Sequence, residues 1–196
     1  MASPLLRLIV LSLALLIVNA TDDDPVNATD DGAMNATTTL INKLIVDTCN
    51  RTTVHRELCV EALSADPAAK NASDVHGLAV AALKLATKNA TDTSEYVEKL
   101  HDKKAGGGGE PGLEQCLEDC EKDYVDAVEQ LDSAAAALDD ENYEDTATFL
   151  TAAMTDVKSC QAGCRERSRN RNVLTKRNGD VNRLCSIVLT IAGLLR

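Results

Sequence analysis

The sequence predicts an all-α fold: an up-and-down four-helix bundle with an N-terminal helical hairpin extension, stapled by disulfides. Composition is the first ground. Alanine and leucine dominate the apolar residues, and aromatic residues make up 2% of the chain, with no Trp and a single Phe, which is poor material for strands. Periodicity is the second, since apolar residues recur at helical spacing over four segments joined by short connections, and short connections favour antiparallel neighbours. The third is the order of the seven cysteines. Cys116 and Cys120 lie four residues apart, as do Cys160 and Cys164, on either side of Asp139, Asp140 and Glu141. If residues 113–138 and 142–164 are antiparallel helices, the numbers of facing positions add to a constant. One constant, 280, serves Cys120 with Cys160 and Cys116 with Cys164, faces Ala127 with Ala153 and Leu131 with Phe149, and centres the turn on Asp140.

Taken in order, the chain opens with an apolar run over residues 5–18, interrupted by Arg7 and Ser12 and ended by Val18-Asn19-Ala20. Residues 1–20 read as a secretory signal peptide, too short and too early for a membrane span. Residues 21–36 are acidic and polar with almost nothing to bury, and read as a disordered leader. A single domain is expected over 37–196. Within it, Leu40, Ile41, Leu44 and Ile45, then Val54, Leu58 and Leu63, give two short helices over 37–65, which a Cys49 to Cys59 bridge would pin as a hairpin. Asp66-Pro67 punctuates. The bundle is expected over 73–196, its first helix capped by Ser73 or Asp74 and running to about Lys104. Gly106 to Gly109 with Pro111 cannot continue a helix and form a connector. This run lacks the Gly-Lys-Ser/Thr ending of a phosphate loop and follows no strand. The paired cysteine helices follow, and a last helix from about Leu174 carries Val181, Leu184, Val188, Ile191 and Leu195 on one face.

Residues four apart share a helix face, so the cysteine ladder is expected to cross twice, Cys120 to Cys160 and Cys116 to Cys164, leaving Cys185 as a free thiol. Buried free thiols and metal ligation are the other readings of these residue types, and the spacing does not match the usual zinc patterns; no metal or cofactor is expected. The aromatic-poor core gives cross-links weight: a bridge closing about 40 residues contributes roughly 3 to 4 kcal/mol in the chain-entropy model, and a nested second one less. Five Asn-x-Ser/Thr triplets, at Asn27, Asn35, Asn50, Asn71 and Asn89, mark expected glycosylation sites, all before residue 100. The net charge of -11, with a secretion signal, argues against nucleic acid as a partner. His55, His76 and His101 have no accompanying nucleophile and acid, so catalysis is not expected.

Several blocks have a familiar order. Thr48-Cys49 and Cys59 in a hairpin, Leu78-Ala79 early in the next helix, Cys120-x3-Tyr124-x-Asp126-Ala127-Val128 with Leu131, then Thr151-Ala152-Ala153-Met154-Thr155 leading to Ser159-Cys160, and a closing Leu184 to Leu195 helix together resemble the plant invertase and pectin methylesterase inhibitor family. The resemblance spans roughly residues 38–196. It implies a secreted four-helix-bundle inhibitor of plant enzymes, in the cell wall or vacuole, with bridges at Cys49 with Cys59 and Cys120 with Cys160. Cys116 and Cys164 are additional to that pattern. Where invertase inhibitors often carry Pro-Lys-Phe, this chain has Glu141-Asn142-Tyr143; Ser159 keeps the hydroxyl that pectin methylesterase inhibitors tend to place before the cysteine, whereas Lys122 stands where they carry a carboxylate.

The function expected is occlusion of an enzyme's active-site cleft by a rigid helical face, with pectin methylesterase slightly ahead of invertase and a structural cell-wall glycoprotein as the reading from another class. Candidate contacts are Lys122, Asp123, Asp126, Glu129, Thr148, Thr151, Thr155 and Ser159. The partner is a secreted plant enzyme met by a monomer, and the basic run Arg165, Arg167, Arg169, Arg171, Lys176 and Arg177 is a further expected contact for polyanionic pectin.

Overall fold

The structure, a computed structural model, describes residues 40, 43–52, 55–105, 112–167 and 174–196, all within one compact unit, Asn35–Arg196. The expected signal peptide, acidic leader, Asn27, Asn35 and glycine connector lie outside the described residues.

Helix α1 covers residues 43–51 and α2 is Arg56–Ala65. Thr52 Oγ1 donates to the Cys49 carbonyl at 2.7 Å, closing α1. The chain enters α2 through His55, whose φ of 58° is left-handed. A disulfide joins Cys49 to Cys59 with Cα atoms 5.7 Å apart, and Ile45, both cysteines and Leu63 are buried in the common core. Asp66-Pro67 does more than punctuate. Pro67 opens a single turn, α3, Pro67–Lys70, where its missing N–H is no loss because the first turn has no intrahelical acceptor for it. Asp66 Oδ1 caps that turn by accepting the Ala69 N–H at 2.8 Å.

The four long helices are α4, Val75–Ala105, α5, Leu113–Asp139, α6, Tyr143–Arg167, and α7, Thr175–Gly193. Asp74, rather than Ser73, caps α4, its Oδ1 accepting the Gly77 N–H at 2.8 Å. Gly112, at φ 89°, starts α5 in a conformation that suits glycine. Helix α5 packs on α4 and α6, and α7 packs on α4 and α6. The helices therefore stand in chain order around one core.

That core is lined with alanine: Ala79, Ala82, Ala86 and Ala90 on α4, Ala127 and Ala134 on α5, and Ala153 on α6 are all buried. Small side chains let α5 and α6 approach closely, and the two bridges fix their register. Cys116–Cys164 and Cys120–Cys160 join Cα atoms 4.7 and 4.6 Å apart, within the range that disulfide geometry allows. On α7, Val181, Val188 and Ile191 of the expected face are fully buried, and Cys185 and Ala192 join them. Counting 3.6 residues from Val181 leads to Cys185, Val188 and Ala192, which are fully buried, while Leu184 and Leu195 pack from the edge. Cys185 is free, and burial pushes its thiol up to about 12, so it stays neutral and unreactive.

A single polar network runs through the middle. Tyr124, fully buried on α5, donates from its hydroxyl to Asn178 Oδ1 on α7 at 2.8 Å. Asn178 Nδ2 donates to Gln161 Oε1 on α6 at 3.1 Å, and buried Thr93 on α4 lies beside the phenol while donating to the Asn89 carbonyl at 2.8 Å. All four long helices contribute. Burial raises the Tyr124 pKa well beyond its ordinary value.

Two outcomes are expected. Replacing Tyr124 by Phe leaves a buried amide oxygen unpaired and should cost about 2 kcal/mol in chemical denaturation. Replacing Cys116 and Cys164 together by Ala should cost about 2 kcal/mol, less than the roughly 4 kcal/mol for the first bridge over such a loop, and lower the melting temperature by about 4–8 °C. A collapse of the bundle on losing this outer pair alone would contradict the nested-loop account.

Candidate functional site

Register decides which side chains α5 and α6 turn outward. With the cysteines and Ala127 and Ala153 facing inward, the residues between them on the two wheels face solvent. Lys122, Asp126 and Glu129 on α5 and Thr148, Thr151, Thr155 and Ser159 on α6 are exposed, and Asp123 is half-buried. The eight candidate contacts thus lie along a paired helical surface. Thr148, Thr151 and Thr155 donate their hydroxyl hydrogens to the carbonyls of Glu144, Ala147 and Thr151, at 3.1, 2.7 and 2.8 Å. That leaves methyl groups and acceptor lone pairs for a neighbour. Lys122 Nζ lies 2.9 Å from Glu118 in an exposed pair one turn apart, a contact that solvent screens.

Asp123 and Ser159 are neighbours across the two helices, and the serine hydroxyl favours the ionised form of Asp123. They border a shallow hollow of about 410 Å³ whose walls include Asp119, Lys122 and Gly163. Burial raises the Asp123 pKa, the nearby Ser159 hydroxyl lowers it, and the charges of Asp156 and Asp126 raise it further, for a net rise. Asp156 is likewise raised, by burial first and then by Asp126. Three carboxylates therefore repel one another on a surface stiffened from beneath by two disulfides. Asp156 and Val125, the latter 52% exposed, were not among the residues picked out from sequence. Their signal was present: Asp156 precedes Ser159 by three positions, and Val125 follows Lys122 by three, so each shares a helix face with a chosen residue.

The acidic end of the hairpin is tied down. Glu141 takes a left-handed φ of 56°, and Asn142 caps α6 by accepting the Asp145 N–H at 3.2 Å. Tyr143 folds back, its ring meeting His76 edge-on with centroids 6.2 Å apart, while Arg196 Nη2 donates to its carbonyl at 3.0 Å. Glu141-Asn142-Tyr143 forms a closed corner.

Elsewhere the chemistry-bearing residues are dispersed. His101 pairs with Glu121 at 2.8 Å, and His55 sits at the start of α2, so the histidines occupy three separate places. The sulfurs of Cys116, Cys120 and Cys164 lie within 4.8 Å of one another, yet each is spent in a disulfide and offers no thiolate to a metal. Among the sequons, Asn50 and Asn71 are exposed, whereas Asn89 is half-buried with its Oδ1 enclosed. The basic run is divided. Lys176 pairs with Asp180 at 2.8 Å, Arg177 lies over the Tyr96 ring at 4.0 Å, and Arg165 is exposed on α6; Arg169 and Arg171 and the Arg167 side chain lie outside the described residues.

Residues 43–191 match the family model described as plant invertase/pectin methylesterase inhibitor. The chain belongs to this family. Its members are protein inhibitors rather than catalysts. It is 30% identical over 142 residues to a Platanus orientalis protein named an invertase inhibitor, covering 72% of this chain and 81% of that one. It is 29% identical over 158 residues to pectinesterase inhibitor 28 of Oryza sativa subsp. japonica, covering 78% and 69%. The fold is similar to the crystal structure of mutant form A of a pectin methylesterase inhibitor from Arabidopsis, with a TM-score of 0.63 at 23% identity over 76% of this chain and 94% of that one. No helix among the described residues of this inhibitor-family chain is long and apolar enough to cross a membrane.

The raised carboxylates fix the sign of a pH effect. A carboxyl whose pKa is higher folded than unfolded costs stability once ionised, and that cost disappears as pH falls below both values. Asp156→Asn should therefore raise the melting temperature by about 1 °C at neutral pH, and the gain should vanish near about pH 3, below the ordinary carboxylate range. Parallel thermal melts of the two proteins across pH check this. A gain that persists in acid would assign the effect to something other than charge repulsion.

Proposed function

We propose that this protein is a secreted inhibitor of a plant cell-wall carbohydrate-active enzyme, covering its active-site cleft one-to-one with the outer face of α5 and α6. The observation that carries this reading is the stapled pair itself: Lys122, Asp123, Asp126, Glu129, Thr148, Thr151, Thr155 and Ser159 share a surface whose backbone two bridges hold. Order present before docking lowers the entropic cost of association. The family and the names of its relatives support an inhibitor. Residues 1–20 act as the signal for export, residues 21–36 as a leader, and exposed Asn50 and Asn71 as glycan carriers.

Pectin methylesterase is favoured as the target because Glu141-Asn142-Tyr143 carries no lysine or arginine of its own and Tyr143 is folded back against His76. Invertase is the second reading, favoured by the relative named an invertase inhibitor and by a 31% identical Arabidopsis thaliana relative named a cell wall / vacuolar inhibitor of fructosidase. The deciding experiment titrates the oxidised protein against purified pectin methylesterase and cell-wall invertase in parallel. Stoichiometric loss of the esterase activity alone is the expected result. Loss of neither activity, with the bridges intact, would overturn the inhibitor reading and favour a structural or interaction glycoprotein.

If docking uses ionised Asp123, Asp126 and Asp156, affinity should weaken on acidification, and should begin to do so above the ordinary carboxylate range because two of the three are raised. Binding constants measured from about pH 7 to 4.5 test this, and a flat profile would remove the carboxylates from the contact.

A further inference from the structure

Asn50 and Asn71 are both exposed, yet the fold treats their triplets differently. We infer that Asn50 takes an N-linked glycan only before the Cys49 to Cys59 bridge closes the hairpin, whereas Asn71 stays open to the same modification in the folded protein. The inference rests on the reading of both residues as glycan carriers on an exported chain, and it is independent of which enzyme the α5 and α6 face meets.

An Asn-x-Ser/Thr triplet is modified through two side chains, the amide that takes the sugar and the hydroxyl two residues on, and both must reach the transferase together. An extended backbone turns residues i and i+2 to one side, whereas a helix turns them nearly opposite ways. Asn50 stands in the last turn of α1, and Thr52 follows that helix directly. Thr52 is 1% exposed. Its hydroxyl and its N–H both donate to the Cys49 carbonyl, at 2.7 and 3.2 Å, so the hydroxyl is enclosed while Asn50 stays outside. Cys49, next to Asn50, is itself buried and tied to Cys59. Extending residues 50–52 therefore means unwinding the end of α1 and exposing Thr52, which the bridge opposes. At the other triplet, Asn71 and Ser73 are both exposed in the irregular link between α3 and α4, outside all three bridged loops. The closed hairpin still has room for a glycan already in place. Asn50 Oδ1 accepts from Arg56 Nε at 2.5 Å, and an N-linked sugar replaces one Nδ2 hydrogen and keeps that oxygen. In the transfer, Asn50 Nδ2 bonds to C1 of the sugar and the bond from C1 to the diphosphate of a lipid-linked oligosaccharide breaks. The lipid diphosphate leaves, and the displaced amide proton passes to a base. Cys59 follows Thr52 by seven residues, about a second of synthesis. Disulfide formation takes seconds or longer, so transfer has a short interval in which to act.

The test presents the full chain, made without glycans, to a purified oligosaccharyltransferase with its lipid-diphosphate oligosaccharide donor. Three forms are compared: the oxidised protein, the reduced and alkylated chain, and oxidised Cys49→Ser with Cys59→Ser, which keeps both bundle bridges. Peptide mass spectrometry reads the initial rate at Asn50 relative to Asn71, so that Asn71 serves as an internal reference. The ratio should be at least about tenfold lower in the oxidised protein than in the alkylated chain, because a site that opens only by local unfolding reacts in proportion to its open fraction. The double variant should recover most of that loss. Equal ratios in the oxidised and alkylated forms, or an oxidised protein that refuses both sites, would overturn the proposal. So would a double variant whose ratio matches the oxidised protein, since closure would then owe nothing to the bridge. An alkylated chain left unmodified at Asn50 would remove that residue as an acceptor and the proposal with it. The expected ratios, together with no glycan on protein recovered from plant cells, would uphold the gate and count against the export reading instead.

Discussion

The hydrogen bond from the Tyr124 hydroxyl to Asn178 is the point at which the four long helices meet. A core built on alanine and leucine gains little from large aromatic surfaces, and helices with smooth faces slide past one another at small energetic cost. A buried polar group is less forgiving, since each unmet hydrogen bond in a low-dielectric interior is expensive. Only one arrangement satisfies the phenol, the Asn178 amide and the Gln161 amide together, so this network selects the rotation of α5, α6 and α7 about their own axes. Stability comes mainly from burial and the bridges. The network contributes uniqueness.

Stiffness then passes outward. Because Cys116, Cys120, Cys160 and Cys164 face inward, the residues on the opposite side of the same two helices inherit a fixed spacing. Three carboxylates, Asp123, Asp126 and Asp156, are held near one another at an energetic cost that an unbraced surface would relieve by shifting. Strain of this kind is tolerable where the backbone is already determined by other contacts. The paired face spends its rigidity on presentation.

Much of this was legible in the chain. The α5 and α6 register follows from arithmetic on antiparallel helices, and it carried the outer-surface residues with it because a helix that turns one face in must turn the other out. What escaped depended on information that periodicity does not contain. Asp66-Pro67 reads equally as the end of one helix and the start of another, so the α3 turn was seen only as punctuation. On α7 the expected face of Val181, Val188 and Ile191 is widened by Cys185 and Ala192, because positions three and four residues apart share a helix face and periodicity alone does not rank them. The basic run looked uniform in sequence, but Lys176 is paired with Asp180 one turn along its own helix, and the fold brings Tyr96 of α4 under Arg177. Asp156 and Val125 were readable from their three-residue spacing to Ser159 and Lys122, but that spacing gains meaning only once the outward face is fixed.

The nested bridges also set the path that mechanical load takes through the chain. A pull applied at residues upstream of Cys116 and downstream of Cys164 crosses between the helices at that outermost disulfide, which spans a sequence separation of 48. The hairpin enclosed by it bears no tension, and the surface it carries keeps its shape while α4 and α7 are drawn apart. In a matrix that is stretched as it expands, the inhibitor-family face would be the last part of the molecule to feel the stretching.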